Sequence, residues 1–196
     1  MIEFIAHRIN TLNELKQIPN QYGVEIDLRD FKNKIILSHD PYIDGEDFES
    51  FLKNYNHGTL ILNIKSERIE LEILELLKKY QLENYFFLDS SFPMIHQLSS
   101  IGEQNIAIRF SEYEGLDTIL NMRGKVKWVW IDCFSKIPID QKSFQILKAN
   151  NFNLCFVSPD LQNQEEKIYE YSSFLKKNKI FIDAVCVKYK NINKWI

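Results

Sequence analysis

Short apolar runs recur along this chain, most of them closed by a polar residue, and stretches of helical spacing lie between most of them. Eight of the runs read as main strands: Ile2–Ala6, Val24–Leu28, Thr59–Ile64, Tyr85–Leu88, Asn105–Phe110, Val126–Ile131, Asn153–Val157 and Phe181–Val187. They are dense in Ile, Val, Phe and Leu, as expected of parallel strands covered on both faces. A turn over Asp30–Asn33 leads into one further short strand, Lys34–Ser38. The spacing predicts helices over Leu12 to about Ile18, Asp47–Tyr55, Glu67–Tyr80, Pro93–Ser100, Leu116–Met122, Gln141–Asn150 and Gln164–Lys177. Eight β-α units in succession predict a small (β/α)8 barrel of the TIM type, a single domain over residues 1–196. An open doubly wound sheet is the alternative. That fold often carries a Gly-rich phosphate loop after its first strand, where this chain has His7-Arg8-Ile9-Asn10.

Composition narrows the functional classes. The 196 residues are 45% hydrophobic, enough to bury a substantial core, and 6 Gly with 5 Pro leave no linker-rich segment. The net charge of −3 comes without a basic block, which argues against a general nucleic-acid surface. No run approaches the ~18 apolar residues of a membrane span, and the first residues lack a signal-peptide pattern. Cys133, Cys155 and Cys186 lie far apart in apolar runs without metal-ligand spacing. They predict buried, reduced thiols in a cytoplasmic protein, with a disulfide or redox role as the other reading.

A barrel places its active site at the C-terminal ends of the strands. Those ends carry His7 and Arg8; Glu25, Asp27 and Arg29; His39 on the loop after the second strand; Asn63 and Lys65; Asp89; Arg109; Asp132; Ser158 and Asp160; and Lys188. The side-chain period of 2 puts Glu25 and Asp27 on one side of their strand. Two such carboxylates repel each other unless a divalent cation, an Arg or Lys, or a shared proton lies between them. The residue types suit phosphoryl chemistry: a cation on Glu25 and Asp27, Arg8 and Lys65 on the non-bridging oxygens, and His7 with His39 exchanging protons. The plainer readings make Glu25 and Asp27 partners of Arg8, Arg29 or Lys65, and the histidines polar strand ends. They make Asp89 and Asp132 helix caps, Arg109 and Lys188 members of ion pairs, and His57 and His96 surface residues. Trp128 and Trp130 read as core, or with one of them at the mouth. A Schiff-base role for Lys65 conflicts with the acids around it.

With His7-Arg8, Glu25-x-Asp27, His39-Asp40 and Asn63-x-Lys65 in this order, the sequence resembles the glycerophosphodiester phosphodiesterase family, within the phospholipase-C-like phosphodiesterases. The motifs cover Ile2–Lys65, about a third of the chain. The resemblance implies a (β/α)8 barrel that splits phosphodiesters with one Mg²⁺ or Ca²⁺ ion. It implies His7 and His39 as the general acid/base pair, Glu25 and Asp27 as metal ligands, and Arg8 and Lys65 as phosphate contacts. Asn63 takes the place of the family's third acidic ligand, Ile9 that of a Gly, and Lys188 that of an acid; the family's Glu-Asn-Thr segment is absent. The expectation is a metal-dependent phosphodiesterase acting on a glycerol-phosphate-like or sugar-phosphate diester, small or polymeric, in a shallow, open mouth. The charge lost at Asn63 leaves a second reading: a weak or inactive barrel that binds phosphorylated ligands or a protein partner.

Overall fold

In the computed structural model, which describes residues 2–196, all eight apolar runs are strands. They are β1 (Glu3–Ala6), β2 (Gly23–Phe31), β5 (Leu60–Ile64), β6 (Tyr85–Leu88), β7 (Ala107–Phe110), β8 (Trp128–Ile131), β9 (Asn153–Val157) and β10 (Ala184–Val187). Two short strands, β3 (Lys34–Leu37) and β4 (Glu46–Asp47), form an antiparallel arm on β2. Helices α1 (Leu12–Leu15), α2 (Phe48–Leu52), α3 (Glu70–Lys79), α4 (Phe92–Ser100), α5 (Leu116–Asn121), α6 (Gln141–Ala149) and α7 (Ile168–Lys177) lie between them. The eight main strands run parallel in a curled sheet, ordered β6-β5-β2-β1-β10-β9-β8-β7. Its two ends meet at a weaker seam. There, β6 touches the segment before β7 through a single bridge, Phe87 to Ile106, and one bond from Phe87 N–H to Asn105 O at 2.8 Å.

Side-chain alternation splits the core in two. Phe86 and Leu88, Cys155 and Val157, and Ala184 and Cys186 point inside the curl with Ile5, Ile61, Ala107 and Trp130. Large rings and small residues share this inner layer, and Phe86 stacks on Trp128 at 4.5 Å between centroids. The alternate strand residues pack outward against the helices with Phe48, Phe51, Phe87 and Phe156. Each such fully buried side chain contributes roughly 1.5–3 kcal/mol. Gly23 lets β2 start hard against Thr59: a Cβ there would sit 2.4 Å from the Thr59 carbonyl oxygen.

Element ends differ from the sequence expectation for local reasons. The hairpin turn is Lys32-Asn33, not Asp30–Asn33, because both residues adopt positive φ (48° and 63°) and let β2 run to Phe31. The first helix stops at Leu15, since Gln17 and Ile18 close tighter i→i−3 bonds to Glu14 and Leu15. The last starts at Ile168, not Gln164, because Pro159–Gln162 and Glu165–Lys167 are 3₁₀ turns. The final strand starts at Ala184 rather than Phe181, whose exposed ring lies against Phe144. His57 is not a free surface side chain: its Nε2 lies 2.9 Å from Ile18 O. The three cysteines are buried and free, and burial pushes their thiols well above the ordinary range.

Candidate active site

Six of the seven residues expected at the mouth form one connected cluster where β1, β2 and β5 end. Glu25 is fully buried. Its Oε1 accepts from Asn63 Nδ2 and its Oε2 from the Arg8 backbone N–H, both at 2.7 Å. Arg8 presents that N–H from the left-handed region (φ 56°), an uncommon conformation for a residue with a Cβ. The next residue, Ile9, turns its side chain into the outer core rather than the mouth. Asp27 is clasped by Asn10, whose Nδ2 donates to Oδ2 at 2.9 Å and whose Oδ1 accepts from the Asp27 N–H at 2.8 Å. Arg8 Nε stands 3.5 Å from Asp27 Oδ2, and Lys65 Nζ 3.5 Å from Oδ1. Asp27 and Asn63 are register partners across β2 and β5, and the Oδ1 atoms of both are buried without a hydrogen-bond partner.

Burial and the neighbouring Asp27 raise the Glu25 carboxyl to about 7, against the pull of Asn63 and the Arg8 N–H. Burial and Arg8 lower the His7 imidazole to about 4, although Asp27 and Asp160 act the other way. His7 is therefore neutral at pH 7, and its 3.7 Å approach to Glu25 Oε2 is not an ion pair there.

His39, the seventh residue, stands apart. Its half-exposed ring forms no hydrogen bond or ion pair with the other six and holds its own neighbour, with Nδ1 2.7 Å from Asp40 Oδ1. That bond keeps the Asp40 carboxyl below its ordinary range. A carboxylate only accepts, so the proton sits on His39 Nδ1 and Nε2 is left as the acceptor. The link to the mouth runs through the backbone. Arg29 donates from Nε and Nη2 to His39 O at 3.1 and 3.0 Å, and from Nη1 to Lys65 O at 2.9 Å. Arg29 is thus a clamp on two loops, where the sequence suggested a partner for the acids.

The far rim is an ion-pair chain. Lys65 Nζ is also 3.5 Å from Asp89 Oδ2. Arg109 grips Asp89 with two bonds of 2.7 and 2.9 Å and reaches Asp132 at 2.5 Å, while Gln162 Nε2 caps Asp132 Oδ1 at 3.0 Å. Burial alone would lower the Arg109 guanidinium, but Asp89 and Asp132 outweigh it and raise it. Neither acid caps a helix: Ser91 precedes α4 and Asp140 caps α6. Trp128 and Trp130 belong to the inner core. Asp160 is fully buried; its Oδ2 accepts from Asn191 Nδ2 at 2.7 Å and from the Lys188 N–H at 3.2 Å, and its Oδ1 has no partner. Asn10 and Gln162 escaped the sequence reading. The only signal for Asn10 is its place directly after His7-Arg8-Ile9.

Two carboxylates and an amide, with two partner-free buried oxygens, offer hard oxygen donors of the kind that suits Mg²⁺ or Ca²⁺. Among the described residues no group of three or more His, Cys, Asp or Glu is placed to hold an ion, so the Asn63 amide would have to complete the set. Also among the described residues, no helix is long and apolar enough to cross a membrane.

No protein-family model matches the sequence, and no curated protein does. Solved structures do share the fold. A candidate glycerophosphodiester phosphodiesterase from Galdieria sulphuraria is 16% identical with a TM-score of 0.69, over 96% of this chain and 94% of that one. A glycerophosphodiester phosphodiesterase from Agrobacterium tumefaciens is 12% identical with a TM-score of 0.66, over 96% and 95%. A glycerophosphoryl diester phosphodiesterase from Parabacteroides distasonis is 13% identical with a TM-score of 0.65, over 95% and 82%. The chain has the fold of these proteins over nearly its whole length.

Proposed function

We propose that the protein is a metal-dependent phosphodiesterase of the glycerophosphodiester phosphodiesterase type, acting on a glycerol-phosphate-like or sugar-phosphate diester, small or polymeric. The observation that carries this reading is the cluster of His7-Arg8, Glu25-x-Asp27 and Asn63-x-Lys65 on three adjacent parallel strands, with the unpartnered oxygens of Asp27 and Asn63 inside it. The likeness to phosphodiesterase structures supports it. The same reading takes residues 1–196 as one domain and the curled sheet as a closed (β/α)8 barrel, supported by the Phe87–Ile106 bridge and the inner core. It places the protein in the cytoplasm, which suits three free, buried thiols.

In this scheme Glu25, Asp27 and Asn63 hold Mg²⁺ or Ca²⁺, which when bound polarises a phosphoryl oxygen. Arg8 and Lys65 turn from Asp27, where each stands 3.5 Å away, to the non-bridging oxygens of the diester. His7, neutral at working pH, takes the proton of the attacking oxygen, from water or from a neighbouring substrate hydroxyl. His39, when Nε2 as well as Nδ1 carries a proton, gives the Nε2 proton to the leaving alkoxide, with Asp40 holding the ring through Nδ1. Arg29 fixes the His39 and Lys65 backbones to one guanidinium, which sets the distance between proton donor and phosphate site.

A second reading has its own support. Arg8 and Lys65 flank Asp27 from both sides and neutralise it without an ion, which suits a barrel that binds phosphorylated ligands or a protein partner without turnover. Hydrolysis of bis-(p-nitrophenyl) phosphate and a panel of glycerophosphodiesters, with Mg²⁺, Ca²⁺ or EDTA, separates the two. Ion-dependent turnover abolished by His39→Ala and by Glu25→Ala is the expected result. A folded protein that neither turns over nor binds the ions calorimetrically would overturn the first reading and favour the second.

A further inference from the structure

Beside the mouth lies a cleft that the proposed catalytic cluster does not use. It opens where β6 and β7 part beyond the Phe87–Ile106 bridge, and it continues between α4 and α5. Its volume is about 590 Å³, within the range that encloses a ring-sized small molecule. Asp89 and Arg109 line it together with Ser90, Phe92, Tyr113 and Thr118. Lys65 links it to the phosphate site, since its Nζ stands 3.5 Å from both Asp27 and Asp89. A group in the cleft is therefore one ammonium away from Asp27.

The lining has two kinds of surface. Phe92 and Tyr113 are large apolar faces left about half and four-fifths exposed. Ser90 Oγ is buried with no hydrogen-bond partner, a state that costs free energy unless a ligand supplies the missing bond. Asp89 and Arg109 offset each other's charge, and Glu114 keeps its own. Arg109 takes both oxygens of Asp89, and Glu114 has one oxygen on the Ser111 hydroxyl at 2.7 Å. A cleft whose only cation among the described residues, Arg109, is already taken by two carboxylates gives little to a free phosphate. It suits a neutral molecule with a ring of hydroxyls and an apolar face.

Building on the phosphodiesterase reading, we propose that this cleft binds the alcohol side of the diester as a neutral sugar ring, in preference to the smaller glycerol. The ring hydroxyls bond to Ser90 and to the oxygens of the Asp89–Arg109 pair, and its C–H face lies on Phe92 and Tyr113. The test uses saturation-transfer NMR with methyl α-glucopyranoside, methyl α-galactopyranoside and glycerol on the wild type and on Thr118→Trp. That substitution is on an exposed helix position and fills the cleft without touching the core. A thermal melt checks that the variant is folded. The expected result is saturation of a pyranoside but not of glycerol, lost in Thr118→Trp. In parallel, glucosyl and glyceryl p-nitrophenyl phosphodiesters are compared, with kcat/KM about tenfold higher for the sugar, the worth of a hydrogen bond or two, and the preference lost in Thr118→Trp. Saturation of neither sugar, or saturation that Thr118→Trp leaves intact, overturns the proposal. Sugar saturation that Thr118→Trp abolishes, with no turnover of either diester, upholds the cleft and sinks the phosphodiesterase reading. Turnover without sugar saturation does the reverse.

Discussion

Glu25→Gln in metal-free protein should reshape the dependence of stability on pH. The Glu25 carboxyl sits at about 7 in the folded state against 4.5 ordinarily, so between those values the folded chain holds the extra proton. Its contribution is fully present below about pH 4.5 and is lost as the pH rises through 7. His7 runs the other way: its folded value of about 4 against 6.5 makes the unfolded chain hold the extra proton, and stability is lost as the pH falls through that window. Each shift corresponds to about 3 kcal/mol over its full titration. Both groups are largely buried, so solvent screening discounts these figures little. In the wild type the two trends oppose between about pH 4.5 and 6.5, and their joint contribution is nearly flat. Glu25→Gln removes one of them and exposes the His7 limb, so its stability should rise by about 3 kcal/mol from pH 4 to pH 6.5. Glutamine leaves either Asn63 Nδ2 or the Arg8 N–H without an acceptor. That penalty is independent of pH, so the slope is diagnostic and the offset is not. Urea denaturation in EDTA across this range gives both profiles. Parallel profiles for the two proteins would refute the reasoning, because they would mean that Glu25 titrates as an ordinary carboxyl.

Other predictions follow from the same contacts. Arg29→Lys cannot hold His39 O and Lys65 O together, and kcat should fall about 10²-fold, the cost of a small misplacement, while the urea midpoint barely moves. Arg109→Leu leaves Asp89 with only Lys65 at 3.5 Å and buried Asp132 with only Gln162, and should cost about 3 kcal/mol in denaturant titrations; a loss below about 1 kcal/mol would show the pairs to be solvated. At pH 7 Glu25 is about half protonated. Mg²⁺ or Ca²⁺ should then displace about half a proton per ion, read by calorimetry in buffers of different ionisation enthalpy, and binding without proton release would place the ion elsewhere.

Much of this was legible from apolar runs. All eight were found, because a strand covered on both faces needs an unbroken apolar stretch whatever its neighbours are. Their ends were less legible. Asn105 and Ile106 look like strand, yet they lie at the single-bridge seam, where pairing depends on how the sheet curls. The cluster around Glu25 and Asp27 could be read because its motifs are local in sequence. What holds it could not. Asn10 meets Asp27 across 17 positions and Arg29 meets Lys65 across 36, and only the fold brings these together. His39 looked like a full member of the cluster, but its ring turned out to belong to Asp40.

The single bridge between β6 and β7 divides the eight strands into two sets, each contiguous in sequence. Residues 2–88 supply β1, β2, β5 and β6, and residues 107–187 supply β7 to β10. Within each set every neighbouring pair of main strands forms a ladder, and one complete ladder, β10 to β1, joins the sets. All seven proposed catalytic, phosphate and metal residues lie in the first set. Most of the cleft lining, Arg109, Tyr113 and Thr118 included, lies in the second. The exposed turn at Ile101-Gly102 is therefore the place to cut the chain into fragments that reassemble through one edge. Exchanging the second fragment for another of the same architecture would alter which alcohol is accepted while leaving the phosphate chemistry in place.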